Sequence, residues 1–470
     1  MTFERGPLDR RHLLAGLAPG AALLASAGAV AEGAVAGNRS TFTVVRGDGT
    51  GDQTEELQHA AGQGGGIYLQ GTIRLGKPIV VELDRVGTTS IFGDGSARVL
   101  MAGAGPAFHF IGTHGGTAAP HTVKPNVWER QRMPCIDGFS IDGLHEQAGG
   151  ILAEGTMGMI LSRLHIRQCH HAVHLRVRNR NVIIEACHFY HNRGIGVYYD
   201  HVDLHQSNIG DSHISYNAGG GVVSRGGNVR NIHIGNCDLE GNHPPQTAPP
   251  SEATANVLID CRDSKLGTAE VAITGCTIQH TARSPDSANV RIHGGEMGSR
   301  KGHVTITGNV FSDVMTNVHL DHIRGATITG NTFWMGYDHN LLIEGSAEIA
   351  ISSNNLNRSP RYGHLKTNVP THDVVIRDSQ DIVLSGSVIT DVRQPEGAVR
   401  LQRCRRMAIT GCTIGRSDGP AISLDECHAV MISGCILGDA ERKEATVIKR
   451  ARCRDMMLGE NVLFGNVAGT

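Results

Sequence analysis

Apolar residues in this chain follow neither the three-to-four spacing of an amphipathic helix nor one continuous run. They come in short alternating bursts that end on a small or polar residue. The recurring unit is an aliphatic residue, two small or polar residues, then Asn, Cys or Ser, with an apolar residue two places on. It reads Ile-Glu-Ala-Cys-His-Phe ending at Phe189, Ile-Thr-Gly-Cys-Thr-Ile at Ile278 and Ile-Thr-Gly-Asn-Thr-Phe at Phe333. Aligned on its fourth position, the column is Phe139, Leu164, Cys187, Ser212, Cys237, Cys276, Asn309, Asn331, Asn354, Ser387, Cys412, Cys435 and Asn461. Successive marks lie 22 to 39 residues apart, most of them 23 to 25. With no helical pattern between marks, this period predicts one short multi-strand coil per repeat, an all-β solenoid of about 12–13 coils. β-branched runs broken by Gly, Asn or Asp make the elements strands of a few residues joined by tight bends. Stacked at about 4.8 Å per coil, the marks span roughly 60 Å. The Asn/Cys/Ser column is read as interior and structural.

A second strand recurs in the coils: Asn256-Val-Leu-Ile-Asp260, Asn289-Val-Arg-Ile-His293, Asn317-Val-His-Leu-Asp321 and Asn340-Leu-Leu-Ile-Glu344. Alternation turns the second and fourth residues inward and the third and fifth outward. The last position then forms an outward column of Glu154, Arg176, Asp200, Arg225, Asp260, His293, Asp321, Glu344, Arg377, Gln402, Asp425 and Lys449. Its neighbour contributes His174, Tyr198, Arg291, His319 and Arg400. The longest steps follow Cys237, Cys276 and Asn354, and their extra segments (243–254, 284–287, 296–302 and 358–370) are expected to wall a groove across this stripe.

Stacked carboxylates suit glycoside hydrolysis. Asp321 and Glu344 on adjacent rungs, about 5 Å apart, match a retaining pair, whereas Asp260 and Asp321, about 10 Å apart, match an inverting one. Close like charges are expected to keep one carboxyl protonated as the acid. Tyr198, Asp200, Arg225, Arg291, His293, His319 and Arg377 are the expected substrate-binding residues. Two other readings use the same stripe. A lyase or epimerase acting on a uronic acid polymer would take its base from Arg225, Arg291, His293 or Arg377, with calcium on Asp200, Asp260 and Asp321. A non-catalytic rod would bind glycans without changing them.

Composition narrows the setting. A formal net charge of −2 gives no drive toward nucleic acid or a membrane surface, and 4% aromatic residues leave few sugar-stacking platforms. Arg10-Arg11 precedes an Ala/Gly/Leu stretch that runs to Ala29-Val30-Ala31, so residues 1–36 are expected to be a bacterial twin-arginine signal. That places the mature chain in the periplasm or outside the cell, with no integral membrane segment. The 11 cysteines include no Cys-x-x-Cys pair and are expected to be reduced ladder residues, although Cys412 and Cys435 sit on adjacent coils. No cofactor is expected, with calcium as a possible ion. The expected partner is a poly- or oligosaccharide, and a homo-oligomer is open.

After the leader come Gly47-Asp-Gly-Thr-Gly-Asp-Gln-Thr54, a short helix that Thr54 is expected to cap, and Gly64-Gly-Gly-Ile-Tyr-Leu-Gln-Gly-Thr-Ile-Arg-Leu75. This start resembles that of pectate-lyase-like right-handed parallel β-helix proteins. The resemblance implies an N-terminal cap over 37–63 and a single-stranded right-handed parallel β-helix over 64–470. It extends to lyases, polysaccharide hydrolases, epimerases, fructan transferases and tailspikes, so it leaves the reaction open.

Overall fold

The structure is a computed structural model that describes residues 42–469, apart from 245–253, 281–283, 285, 296–300 and 358–370. The expected leader therefore lies outside the described residues, as do most of the expected groove-walling segments. Residues Thr41–Thr470 form one compact unit. Among the described residues, 41 strands pair in parallel into one continuous sheet, wound as a right-handed β-helix.

One coil shows how the chain makes the winding. A strand over Arg324–Thr329 ends at Gly330, a long bent strand runs over Thr332–Glu344, and after Gly345 the next coil opens at Ala347–Ser352. Each coil thus has three sides, the first before the repeat mark, the second just after it, and the third carrying the outward charged column. From Phe139 to Cys435 the turn before each mark takes left-handed backbone. Gly275, Gly308, Gly330, Gly386, Gly411 and Gly434 supply it, with Arg163, Ala186, Asp211, Asn236 and Ser353 in the same conformation elsewhere.

The mark column stacks as expected. From Phe139 to Cys435 each mark's carbonyl accepts a hydrogen bond from the residue after the next mark, as in His165 N–H to Phe139 O and Val462 N–H to Cys435 O. Asn309, Asn331 and Asn354 extend this sideways through their amides, each Nδ2–H donating to the next Oδ1 at 3.0 Å. All 11 cysteines are free thiols, Cys412 and Cys435 included. The interior is otherwise mainly aliphatic, with a few buried aromatic rings such as Phe311 stacked on Phe333 at 4.9 Å.

A longer ladder stands at the corner between the second and third sides. Asn192, Asn217, Asn242, Asn256, Asn289, Asn317 and Asn340 are all buried, and each Nδ2–H donates to the next Oδ1 at 2.7 to 2.9 Å. Glycine makes room for it: a Cβ at Gly221 would lie 2.9 Å from Asn242 Nδ2 and 2.5 Å from Asn256 O. These amides satisfy buried backbone groups that would otherwise lack partners, as in Asn217 Nδ2–H to Phe189 O.

Three sequence expectations change at the N-terminus. The third side counts fifteen rungs, because fourteen pairings follow one another from Ile79–Glu82 to Asn466–Gly469. The estimate of 12–13 missed the earliest coils, which carry no polar mark. The sheet also starts before residue 64, since Thr43–Asp52 pairs in parallel with Gly65–Leu75. The helix over Thr54–Gln63 buries Leu57, Ala60 and Ala61 against the first coils. Thr54 does not cap it. Its hydroxyl donates to Asp52 Oδ1 and accepts from Gly76 N–H, while Asp52 Oδ1 accepts the Thr54 N–H.

Replacing Asn217 with Ala takes the Oδ1 acceptor from Asn192 N–H and Nδ2–H and the Nδ2–H donor from Phe189 O, while Asn242 Oδ1 keeps the Asn217 backbone N–H. At about 1–3 kcal/mol for each buried unsatisfied group, it should cost roughly 3–5 kcal/mol in denaturant unfolding. The exposed Asn355→Ala should stay within about 0.5 kcal/mol. Equal losses in the two variants would contradict the ladder's role.

Candidate active site on the third side

Strand register alone builds the stripe. Asp200 pairs with Arg225, Arg225 with Asp260, Asp260 with His293, His293 with Asp321, Asp321 with Glu344, and Glu344 with Arg377. The column continues to Glu154 at one end and Asp425 at the other. Lys449 falls out of it. It pairs with Ser423, and Ala451 takes the place opposite Asp425, so Lys449 belongs to the neighbouring column. In that neighbouring column His174 pairs with Tyr198, and Arg291 with His319.

Side chains on adjacent rungs meet as imidazole–carboxylate pairs. His174 Nε2 lies 2.9 Å from Asp200 Oδ2, His293 Nδ1 3.0 Å from Asp321 Oδ2, and His319 Nε2 2.8 Å from Glu344 Oε2. His322 Nδ1 also bonds Asp321, and Arg377 Nε donates to Glu344 Oε1 at 2.5 Å. Asp260 is gripped by Arg262, whose Nε and Nη2 donate to its two oxygens at 2.9 and 2.5 Å. Tyr198 stacks on His174 at 5.1 Å.

The two central histidines differ in what their hydrogen bonds leave free. Arg291 Nε–H donates to His319 Nδ1 at 3.1 Å, which puts the His319 proton on Nε2, facing Glu344. Both nitrogens are then used. His293 gives its Nδ1 to Asp321, and its Nε2 has no hydrogen-bond partner among the described residues. Like His174 on Asp200, it is built like a held general base, and it stands at the centre of the stripe.

The electrostatics alter the expected roles. Burial alone would push the Asp321 carboxyl up, but hydrogen bonds from His293 and His322 outweigh it and hold the group at about 2. The His319 hydrogen bond lowers Glu344 against the opposing effect of burial, and Arg377 adds to it. Asp260 is also lowered, its burial outweighed by the Arg262 fork. The expectation that one of these carboxyls stays protonated fails, because each acid is bonded by His or Arg groups, even where Asp321 and Glu344 stand on adjacent rungs. Burial raises Tyr198 to about 12, with the nearby Asp200 carboxylate adding to the shift.

Two further assignments are corrected by geometry. Arg291 is 1% exposed, and its fork is taken up by Asp286, at 2.7 Å to the carbonyl and 2.8 Å to Oδ1. It holds His319 and cannot face a substrate. Asp200, Asp260 and Asp321 stand two rungs apart in turn, about 10 Å, too far to share a calcium ion whose ligands lie about 2.3–2.6 Å from the metal. Among the described residues no three His, Cys, Asp or Glu side chains gather as a metal site.

Sequence reasoning missed Asp286, Arg262, His322 and Asp373. Asp373 is fully buried, bonding His339 and accepting from Arg400 at 2.5 Å. A signal for it was present, since Asp373-Val-Val-Ile-Arg377 puts an acid where four earlier coils have Asn.

Comparison with known proteins agrees with this architecture. Residues 132–263 match the family model "Right handed beta helix region", and residues 261–466 match "Periplasmic copper-binding protein (NosD)". The fold is similar to a tailspike protein mutant of E. coli bacteriophage HK620 in complex with pentasaccharide, at 12% identity over 88% of this chain and 78% of that one, with a TM-score of 0.53. Tailspike protein 3 of bacteriophage CBA120 aligns at 13% identity over 88% of this chain, TM-score 0.44, and the match spans 61% of the tailspike's length. The A-module of an Azotobacter vinelandii mannuronan C-5 epimerase aligns at 13% identity over 83% of this chain and 96% of that one, TM-score 0.40. None of the curated proteins matches by sequence. The chain is a right-handed parallel β-helix protein.

Because the folded Asp321 value lies below the usual 3.8, its pairing stabilises the fold at neutral pH and is lost as pH falls from about 4 to 2. Acid titration of unfolding should show a loss of about 2 kcal/mol that Asp321→Asn removes. An unchanged acid profile in the variant would contradict the pairing.

Proposed function

We propose that this is an exported carbohydrate-active enzyme that draws a glycan across the third side and removes a proton with the His293–Asp321 pair. The observation that carries this is the free Nε2 of His293 beside a carboxylate held ionised. A β-helix of the same fold is in complex with pentasaccharide in the HK620 tailspike, which supports a saccharide ligand. The NosD family is described as periplasmic, and no helix among the described residues is long and apolar enough to cross a membrane. Both agree with the twin-arginine reading of residues 1–36.

Base chemistry accounts for the site better than paired carboxylates do. Hydrolysis by Asp321 with Glu344 or Asp260 requires one protonated acid, and all three are held below their usual range. Elimination or epimerisation on a uronic acid requires a base at the sugar C5 proton and a cation at the sugar carboxylate. His293 Nε2 takes the proton, and Asp321 holds the Nδ1–H and stabilises the imidazolium that forms. The half-exposed Arg262, ion-paired with Asp260 one rung away, offers the cation. In elimination the electron pair of the C5–H bond forms C4=C5, the C4–O4 bond breaks, and the imidazolium returns its proton to O4. In epimerisation a water molecule on the opposite face delivers a proton to C5, and the imidazolium passes its own proton to the resulting hydroxide through solvent. Tyr198, Asp200, Arg225 and Arg377 extend the surface along the stripe for neighbouring sugars.

A screen on neutral and uronate polysaccharides should read reducing ends and the ultraviolet absorbance of the unsaturated uronate together. Elimination raises both, and epimerisation raises neither but exchanges the C5 hydrogen with solvent. His293→Gln and Asp321→Asn should each lower turnover by about 10²–10⁴-fold, the range of a lost general base. Reducing ends without the chromophore would return the chemistry to hydrolysis by Asp321 and Glu344.

A further inference from the structure

Away from the stripe, residues 112–133 fold over the corner between the third and first sides, and two arginines are buried beneath them. Arg178 and Arg180 flank Asn179, which points inward and binds Thr156 Oγ1 at 2.6 Å. Alternation therefore turns both guanidiniums outward, under the covering segment. Arg178 is 8% exposed and Arg180 7%. From the segment, His114 is 3% exposed, and its backbone N–H is anchored on Gly155 O at 2.9 Å.

The polar inventory of this corner does not close. Arg178 Nη1 pairs with Asp203, and Arg180 Nη1 donates to Thr117 O and Ala118 O at 2.9 and 2.6 Å. The Nε atoms of both arginines and both ring nitrogens of His114 are buried with no protein partner. His114 lies within electrostatic reach of Arg178, Arg180 and Asp203, and His205 within reach of both arginines and Glu270. Glu270 is exposed and spends an oxygen on Asn231 at 2.8 Å. Beneath the segment two guanidiniums thus face one carboxylate.

We propose that Arg178, Arg180 and His114 hold one small inorganic anion, of chloride's size, beneath residues 112–133. Three N–H groups, one from each residue, supply donors, and the anion supplies the missing negative charge. A water molecule would accept two of these bonds but leave the charge excess uncompensated. The anion then acts as a clamp on the segment that covers this part of the rod.

Thermal unfolding of the purified protein in sodium gluconate, chloride, bromide and sulfate at equal ionic strength tests this. Chloride and bromide should raise Tm saturably by about 1–3 °C over gluconate and sulfate. Arg178→Gln should remove the increment. Crystals grown in bromide should show an anomalous peak among Arg178, Arg180 and His114, a readout that holds even where a variant fails to fold. Equal melting in all four salts, an increment kept in Arg178→Gln, an equal rise in sulfate, or an ordered water at the position would each overturn the assignment.

Discussion

Parallel strands stacked in register at about 4.8 Å put each residue directly over its counterpart one coil away, and the rest of this molecule depends on that constraint. Inside, it lets a single side-chain type satisfy itself repeatedly. An Asn that donates up the stack and accepts from below completes its own hydrogen bonding and ties down a backbone carbonyl at a corner. Seven such amides run from Asn192 to Asn340, and three more from Asn309 to Asn354. Aliphatic and thiol side chains meet the same geometry by packing alone.

Outside, the same constraint sets the electrostatics. Like charges one rung apart repel, and the stripe offsets this by placing His or Arg beside the acids: Arg225 between Asp200 and Asp260, His293 between Asp260 and Asp321, and His322, His319 and Arg377 around the adjacent Asp321 and Glu344. This alternation holds the carboxylates ionised and leaves the site without a carboxylic acid. What it leaves available is an imidazole whose orientation is set by one neighbour and whose second nitrogen is open. The chemistry proposed for the site follows from how the charges are spaced more than from which acids are present.

The coil period, the mark column and most of the outward column were legible in the sequence, because a strict two-residue alternation and a recurring Asn or Cys leave little freedom in alignment. The longer Asn ladder was harder to see. Asn242 and Asn256 are neighbours in space but belong to different parts of one coil, so the spacing that reveals the other members is broken there. The first coils carry no polar mark at all. Arg291 sat correctly in its column, but its burial depends on Asp286, which reaches it from a bend that alternation does not describe. The ionisation of Asp321 was misjudged for a related reason: His322, next to it in sequence, turns back onto it through a left-handed turn.

The central claim is that the charged third side is where substrate lies and that His293 is its base. A crystal of the His293→Gln protein soaked with an acidic oligosaccharide tests it most directly. The account predicts sugar density along the third side over the rungs of Asp260, His293, Asp321 and Glu344, with a C5 atom within hydrogen-bond reach of the substituted position and a carboxylate toward Arg262. Density on the first or second side, or over these rungs with the sugar carboxylates turned away from Arg262, would contradict it.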